Sequence, residues 1–209
     1  MSPAIRRKGR ALPRSFYARD AREVAPQLLG KLVVHDDPEA GRVAVRLVEV
    51  EAYAGADDPG SHAYRGPTAR NATMFGPPGH LYVYFSYGMH WCVNVVCGAE
   101  GWASAVLLRG GEPVDGLDAM RARRPAARRE RDLCSGPGRL AQALGLRRDH
   151  DGADLVRGNV RVLDDGTPPP AVPGVSMRIG LGAGRGEEHP WRWFVSGDPN
   201  VSRVRAGRG

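Results

Sequence analysis

Between Val48 and Asn94 the chain reads VEVEAYAG, then SHAYRG, then ARNATMFGPPGHLYVYFSYGMHWCVN. One carboxylate, Glu51, stands at the end of an alternating apolar run. Tyrosines and histidines follow it in Gly-rich turns. Such a set suits chemistry in which a flat aromatic base is held and a water molecule is moved against it. A strand-end carboxylate on a partly apolar face has its pKa raised unless a cation lies close. It can then take a proton from water, or serve as half of a structural ion pair with an arginine. Glu49 has the same two readings, and the structural one is preferred.

Tyr53, His62, Tyr82, Tyr84 and Tyr87 supply flat faces, for stacking on a base or for ordinary packing. Stacking of a base on an aromatic ring is worth ~1–3 kcal/mol, and a cationic base gains further from the ring's electron-rich face. Tyr87 falls at a hairpin tip, where a ring suits insertion between stacked bases. Arg109 ends the run AVLLR and either pairs with Glu51 to fix a water or is solvated. Asn94 alternates with apolar neighbours, so it faces inward either as a ligand contact or as a buried structural amide.

These residues need elements to hold them. Asp20-Ala-Arg-Glu23 predicts a capping box opening a helix that ends near Gly30, with Pro26 expected to kink or shorten it. Residues 31–35 and 42–51 read as strands joined by a turn, with His35 solvated at the end of the first. By the period of two, Val43, Val45, Leu47, Glu49 and Glu51 share one face. Residues 52–80 form a long turn-rich loop, of the functional kind. Strands follow at 81–86, 91–96 and 103–109, the first two flanking the tip at 87–90. Helices are expected at 116–124 and from Pro137 to Leu144, with Gly145 as the stop. Closing strands are expected at 175–181 and 193–196. Met74, Phe75 and Met89 read as core.

Size and charge narrow the class. The 209 residues suffice for one domain with a full core, and no repeat or linker divides them. A basic arm over residues 1–13, one mixed α+β domain over 14–202 and a tail over 203–209 are the expected organisation. No apolar run is long enough for a membrane span and no signal peptide is evident, so a cytoplasmic protein without a membrane partner is expected. The net charge of +7 points to a polyanionic partner, although a GC-rich codon bias also favours arginine. Six arginines lie between Arg121 and Arg131, a solvated face in part available to phosphates, and the turn Ser135–Arg139 reads as a weak phosphate cradle. Three cysteines without CxxC spacing, with Cys92 read as core, and histidines without ligand spacing predict no disulfide, no metal and no cofactor.

The quoted stretch, with AVLLRG, GLDAMRARR, DLCSGPGRLAQAL, RIGLG and PWRWFVSG, closely resembles the alkyladenine (3-methyladenine) DNA glycosylases, across most of residues 12–202. The resemblance implies a curved antiparallel sheet flanked by helices, with a β-hairpin tip that inserts into DNA. It implies excision of a flipped base from duplex DNA in base excision repair. Glu51 matches the general base, and Arg109 and the Ile179 carbonyl match the groups that hold the water. Tyr53, His62 and Tyr84 match the base-pocket walls, with the His62 amide bonding the base. Asn94 matches the residue that rejects guanine, and Tyr87 the wedge. His90 stands where vertebrate members have tyrosine, so the wedge's neighbour differs.

Alkylated purines such as 3-methyladenine are already cationic and so leave without a general acid, and a single carboxylate suffices. The only lysines, Lys8 and Lys31, lie away from the constellation, which disfavours a Schiff-base lyase. The leading expectation is a monofunctional hydrolase of 3-methyladenine, 7-methylguanine, hypoxanthine and ethenoadenine lesions, monomeric and without an obligate protein partner. A non-catalytic damaged-nucleic-acid binding module and an RNA-directed enzyme are the alternatives.

Overall fold

The strand Gly41–Tyr53 organises the molecule. In the computed structural model, which describes residues 9–86 and 88–202, it is the long third strand of one antiparallel sheet. In chain order the elements are β1 (Arg10–Ala11), α1 (Arg14–Tyr17), α2 (Ala21–Leu28), β2 (Leu32–Asp37), β3 (Gly41–Tyr53), β4 (Leu81–Ser86), β5 (His90–Cys97), β6 (Ser104–Asp115), α3 (Leu117–Arg123), α4 (Pro137–Leu144), β7 (Val160–Asp164), β8 (Gly174–Ser176) and β9 (Arg192–Phe194). The sheet runs β1-β7-β2-β3-β6-β5-β4 and curls into a half-barrel. The first half of β3 pairs with β2 and its last part with β9, which also carries β8. This is a single mixed α+β domain.

Asp20 caps α2 by accepting the Arg22 N–H at 2.8 Å, and Pro26 is accommodated inside the helix. In α4, Pro137 takes the first turn and Gly145 closes the helix at φ 74°, the asymmetry that its sequence predicts. Both helices pack their apolar faces on one side of the sheet, through Val24 and Leu28 and through Leu140, Ala141 and Leu144. Residues 175–181 form only a short strand at their start, because the Gly-rich segment after Ser176 leaves the sheet. The expected arm lies outside the described residues up to residue 8, and the expected tail over 203–209 lies wholly outside them. Arg10 and Ala11 pair with β7. Among the described residues no helix is long and apolar enough to cross a membrane.

Two further expectations about the strands fail for stated reasons. His35 is buried, its Nδ1 2.8 Å from the Leu144 carbonyl oxygen. It is not a free strand end, because β2 is flanked by both β3 and β7. The expected shared face of β3 is also interrupted. Leu47 pairs with Gly111 and Glu49 with Gly110, so Val48 is an extra residue on β3; Val50 then pairs with Leu108, which makes Arg109 the extra residue on β6. Val43, Val45 and Leu47 enter the core, and after the bulge Val50 and Ala52 do so. Glu49 and Glu51 are thereby turned to the opposite face, the re-aiming that a bulge performs. Gly111 permits this close pairing: a Cβ there would stand 2.2 Å from Val45 Cγ1 and 2.6 Å from the Arg46 carbonyl oxygen.

Candidate active site

Four strands floor the site on the sheet face away from the helices. A rung of ladder partners, Tyr82, Asn94, Leu107 and Glu51, crosses β4, β5, β6 and β3. Above it is a cavity of about 710 Å³, walled by Tyr53, His62, Tyr84, Cys92, Asn94 and Arg109 and rimmed by residues 59–61, Arg70, Pro137 and 179–182. That volume is of the size that takes a small flat ligand. Cys92, read as core, is buried but lines this cavity, because β5 sends Val93 and Val95 to the core and Cys92 and Asn94 to the site.

Glu51 is fully buried. Its Oε2 accepts from the Tyr53 hydroxyl at 2.9 Å and from Arg109 Nη1 at 3.2 Å, and its Oε1 accepts from the Ile179 backbone N–H at 2.7 Å. A carboxylate has about four acceptor positions. Among the described residues these donors leave one on Oε1. Burial pushes the Glu51 carboxyl above the usual carboxylate range; the Arg109 charge and the bonds from Ile179 and Tyr53 offset only part of it.

Glu49 has the opposite balance. Burial again works against its charge, but Arg109, the Ser202 amide and hydroxyl, and Arg192 outweigh it, and its pKa falls below the ordinary value. Arg109 Nε donates to Oε1 at 3.1 Å and Arg192 Nε at 2.7 Å; the Ser202 N–H reaches Oε2 at 2.6 Å and its hydroxyl Oε1 at 2.7 Å. Two carboxylates with pKa values driven apart divide the labour: one stays charged and holds Arg109, the other can exchange a proton.

The aromatic wall is built as a stack. Tyr82 and Tyr84 lie nearly parallel, with centroids 5.5 Å apart, and the His62 ring stands edge-on to Tyr84 at 4.4 Å. Tyr82 is largely buried but also lines the cavity, with its hydroxyl 3.1 Å from His62 Nδ1. Burial and the Arg70 charge hold His62 below its usual pKa, so the ring is neutral at pH 7. Asn71 fixes this loop by donating to the His62 and Gly66 carbonyls at 2.8 and 3.1 Å. Asn94 donates to the Tyr82 carbonyl at 3.2 Å.

Glu51, Arg109, Tyr53, His62, Tyr84, Asn94 and Ile179 are thus brought together. His90, exposed at the start of β5, stands outside the cavity wall, and Tyr87 lies outside the described residues. Met89 is 68% exposed, not core, because it sits at the tip of the β4–β5 hairpin. Arg192 and Ser202 were not legible as parts of the site: Arg192 comes from a three-residue strand and Ser202 from the irregular segment after it. Lys31 is remote, its Nζ bonded to Asp164 at 2.9 Å.

A second cavity of about 1180 Å³ shares Arg109, Ile179, Gly180 and Leu181 with the first and is lined by Arg129, Arg131 and Arg139. The sequence profile of the methylpurine-DNA glycosylases matches residues 15–199. The chain belongs to that family. A Burkholderia lata protein with the name 3-methyladenine DNA glycosylase is 54% identical over 202 residues, 96% of this chain and 95% of its own length. Relatives with the same name in Streptomyces avermitilis and Methanocella arvoryzae are 52% and 46% identical, over 93% and 94% of this chain and 92% and 98% of theirs. Within a methylpurine-DNA glycosylase, the aromatic cavity and the arginine-lined one meet at the Arg109–Ile179 wall.

Proposed function

We propose that this family member is a monofunctional DNA glycosylase that takes a damaged purine out of duplex DNA and hydrolyses its N-glycosidic bond. The observation that carries this is Glu51: buried, raised in pKa, and bonded to Arg109 and Tyr53 at the cavity wall. The flipped purine occupies the aromatic cavity, with Tyr53, His62 and Tyr84 against it and Asn94 crowding the exocyclic amine of guanine. The sugar and phosphates pass over the shared wall into the arginine-lined cavity. Tyr87 fills the vacated stack, with His90 beside it.

Water takes the remaining acceptor position on Glu51 Oε1, steadied by Arg109 and the Ile179 carbonyl. As its oxygen bonds to C1′, the C1′–N bond breaks, its electron pair leaves with the base, and the water proton passes to Glu51. A cationic 3-methyladenine or 7-methylguanine departs neutral, so no general acid is required. Among the described residues no lysine lines the cavity, which supports water over an amine as nucleophile.

The deciding experiment is base release by Glu51→Gln on duplexes carrying 3-methyladenine, 7-methylguanine, hypoxanthine or ethenoadenine. Lesion binding is expected to persist while release falls by roughly 10²–10⁴. Release near the wild-type rate refutes the role of Glu51. Wild-type binding without release on every duplex favours a sensing module instead.

A further inference from the structure

Behind the cavity wall lies a buried ion pair that this chemistry leaves unused. Arg178 and Asp58 both have side chains at 0% exposure. Their contact is a fork, Nη1 to Oδ2 at 2.6 Å and Nη2 to Oδ1 at 2.8 Å. Arg178 also donates to the Ala52 carbonyl at 3.1 Å and to the Gly186 carbonyl at 2.9 Å. Asp58 accepts the Ala54 N–H at 3.1 Å and the Gly60 N–H at 2.9 Å. The guanidinium lies 4.7 Å from the Tyr53 ring centroid and 5.0 Å from that of Trp191.

Two consequences follow from where these bonds fall. Ala52 and Ala54 flank Tyr53, so the pair grips the backbone on both sides of that ring while stacking on the ring itself. Arg178 immediately precedes Ile179, whose amide is 2.7 Å from Glu51 Oε1. The loop before His62 is packed on the same guanidinium, since a Cβ on Gly60 would stand 2.9 Å from Nη2. A buried pair gives little net stability, because desolvation offsets the attraction. What it provides here is geometry.

We propose that Arg178, held by Asp58, is a positioning residue: it fixes the Tyr53 ring against the base and delivers the Ile179 amide to Glu51. The inference rests on the glycosylase reading above. Lysine keeps the charge but has neither the planar fork nor the flat stacking surface.

The test compares wild type, Arg178→Lys and Asp58→Asn. Three readouts are needed: thermal melts, single-turnover release of 7-methylguanine from saturating duplex across pH, and the Ile179 amide resonance in ¹⁵N-labelled protein. In a folded variant, release is expected to fall about tenfold or more, further than lesion binding weakens. The acid limb of the profile should move to higher pH, because the amide bond favours the charged form of Glu51 and is absent from the variant. The Ile179 amide proton should move upfield. A folded variant with unchanged rate, limb and resonance overturns the proposal. So does loss of folding in both variants, which assigns the pair to stability. An inactive wild type sinks the glycosylase reading, and the Ile179 resonance still decides whether Arg178 sets that amide.

Discussion

Glu49 and Glu51 are chemically identical and two residues apart, yet the donors around them assign opposite tasks. Glu51 is raised, so it becomes protonated at a higher pH than a surface carboxylate. Release of a cationic lesion should therefore fall on the acid side along a limb that begins above the usual carboxylate range, as single-turnover rates measured against pH will show. Glu49 is lowered, so its charge stabilises the fold above the unfolded-state pKa, and that contribution is lost as pH falls through the depressed folded value. Glu49→Gln leaves Arg192 without its carboxylate and Arg109 with Glu51 alone, and should cost about 3–5 kcal/mol at pH 7. The gap between the wild-type and mutant denaturation midpoints should narrow in acid. At this scale the sequence was legible where the pattern is local. Glu51, Tyr53 and Arg109 announce themselves by type and by place on their strands. The donors that separate the two glutamates, Arg192 and Ser202, lie more than 140 positions away along the chain, and no short-range pattern connects them.

The paired bulge in β3 and β6 decides which residues meet. Without it the period of two would carry both glutamates into the core with Leu47. Strand periodicity could not foresee this, because a bulge belongs to two strands and β6 supplies half of it at Arg109. Most other elements were readable from alternation, caps and glycines, and the failures lay where partners change: the end of β2, covered by β7, and the segment after Ser176, which leaves the sheet. Gly111→Ala drives a methyl group against Val45 and the Arg46 carbonyl oxygen and forces β3 and β6 apart there. It should destabilise by about 1–3 kcal/mol and displace Arg109, so base release should fall more than lesion binding. Urea denaturation alongside single-turnover kinetics measures both.

Across the whole molecule, the surplus of +7 acquires a location. Arg129, Arg131 and Arg139 line the groove that meets the aromatic cavity. Replacing Arg131 and Arg139 with alanine should weaken binding to damaged and undamaged duplexes alike. The salt dependence should flatten by ~0.9 for each phosphate no longer neutralised, with single-turnover release at saturation unchanged. Binding isotherms over a range of salt concentrations test this. The basic character was visible in composition, but its gathering into one groove was not, since Arg139 opens a helix and Arg129 and Arg131 lie in the irregular segment before it.

The donors of Glu51 and Glu49 have a bearing on synthesis. Ile179 reaches Glu51 across 128 positions and Ser202 reaches Glu49 across 153. A nascent chain can assemble most of the curled sheet while still tethered to the ribosome, but the set of donors around the two glutamates stays incomplete until Ser202 has emerged.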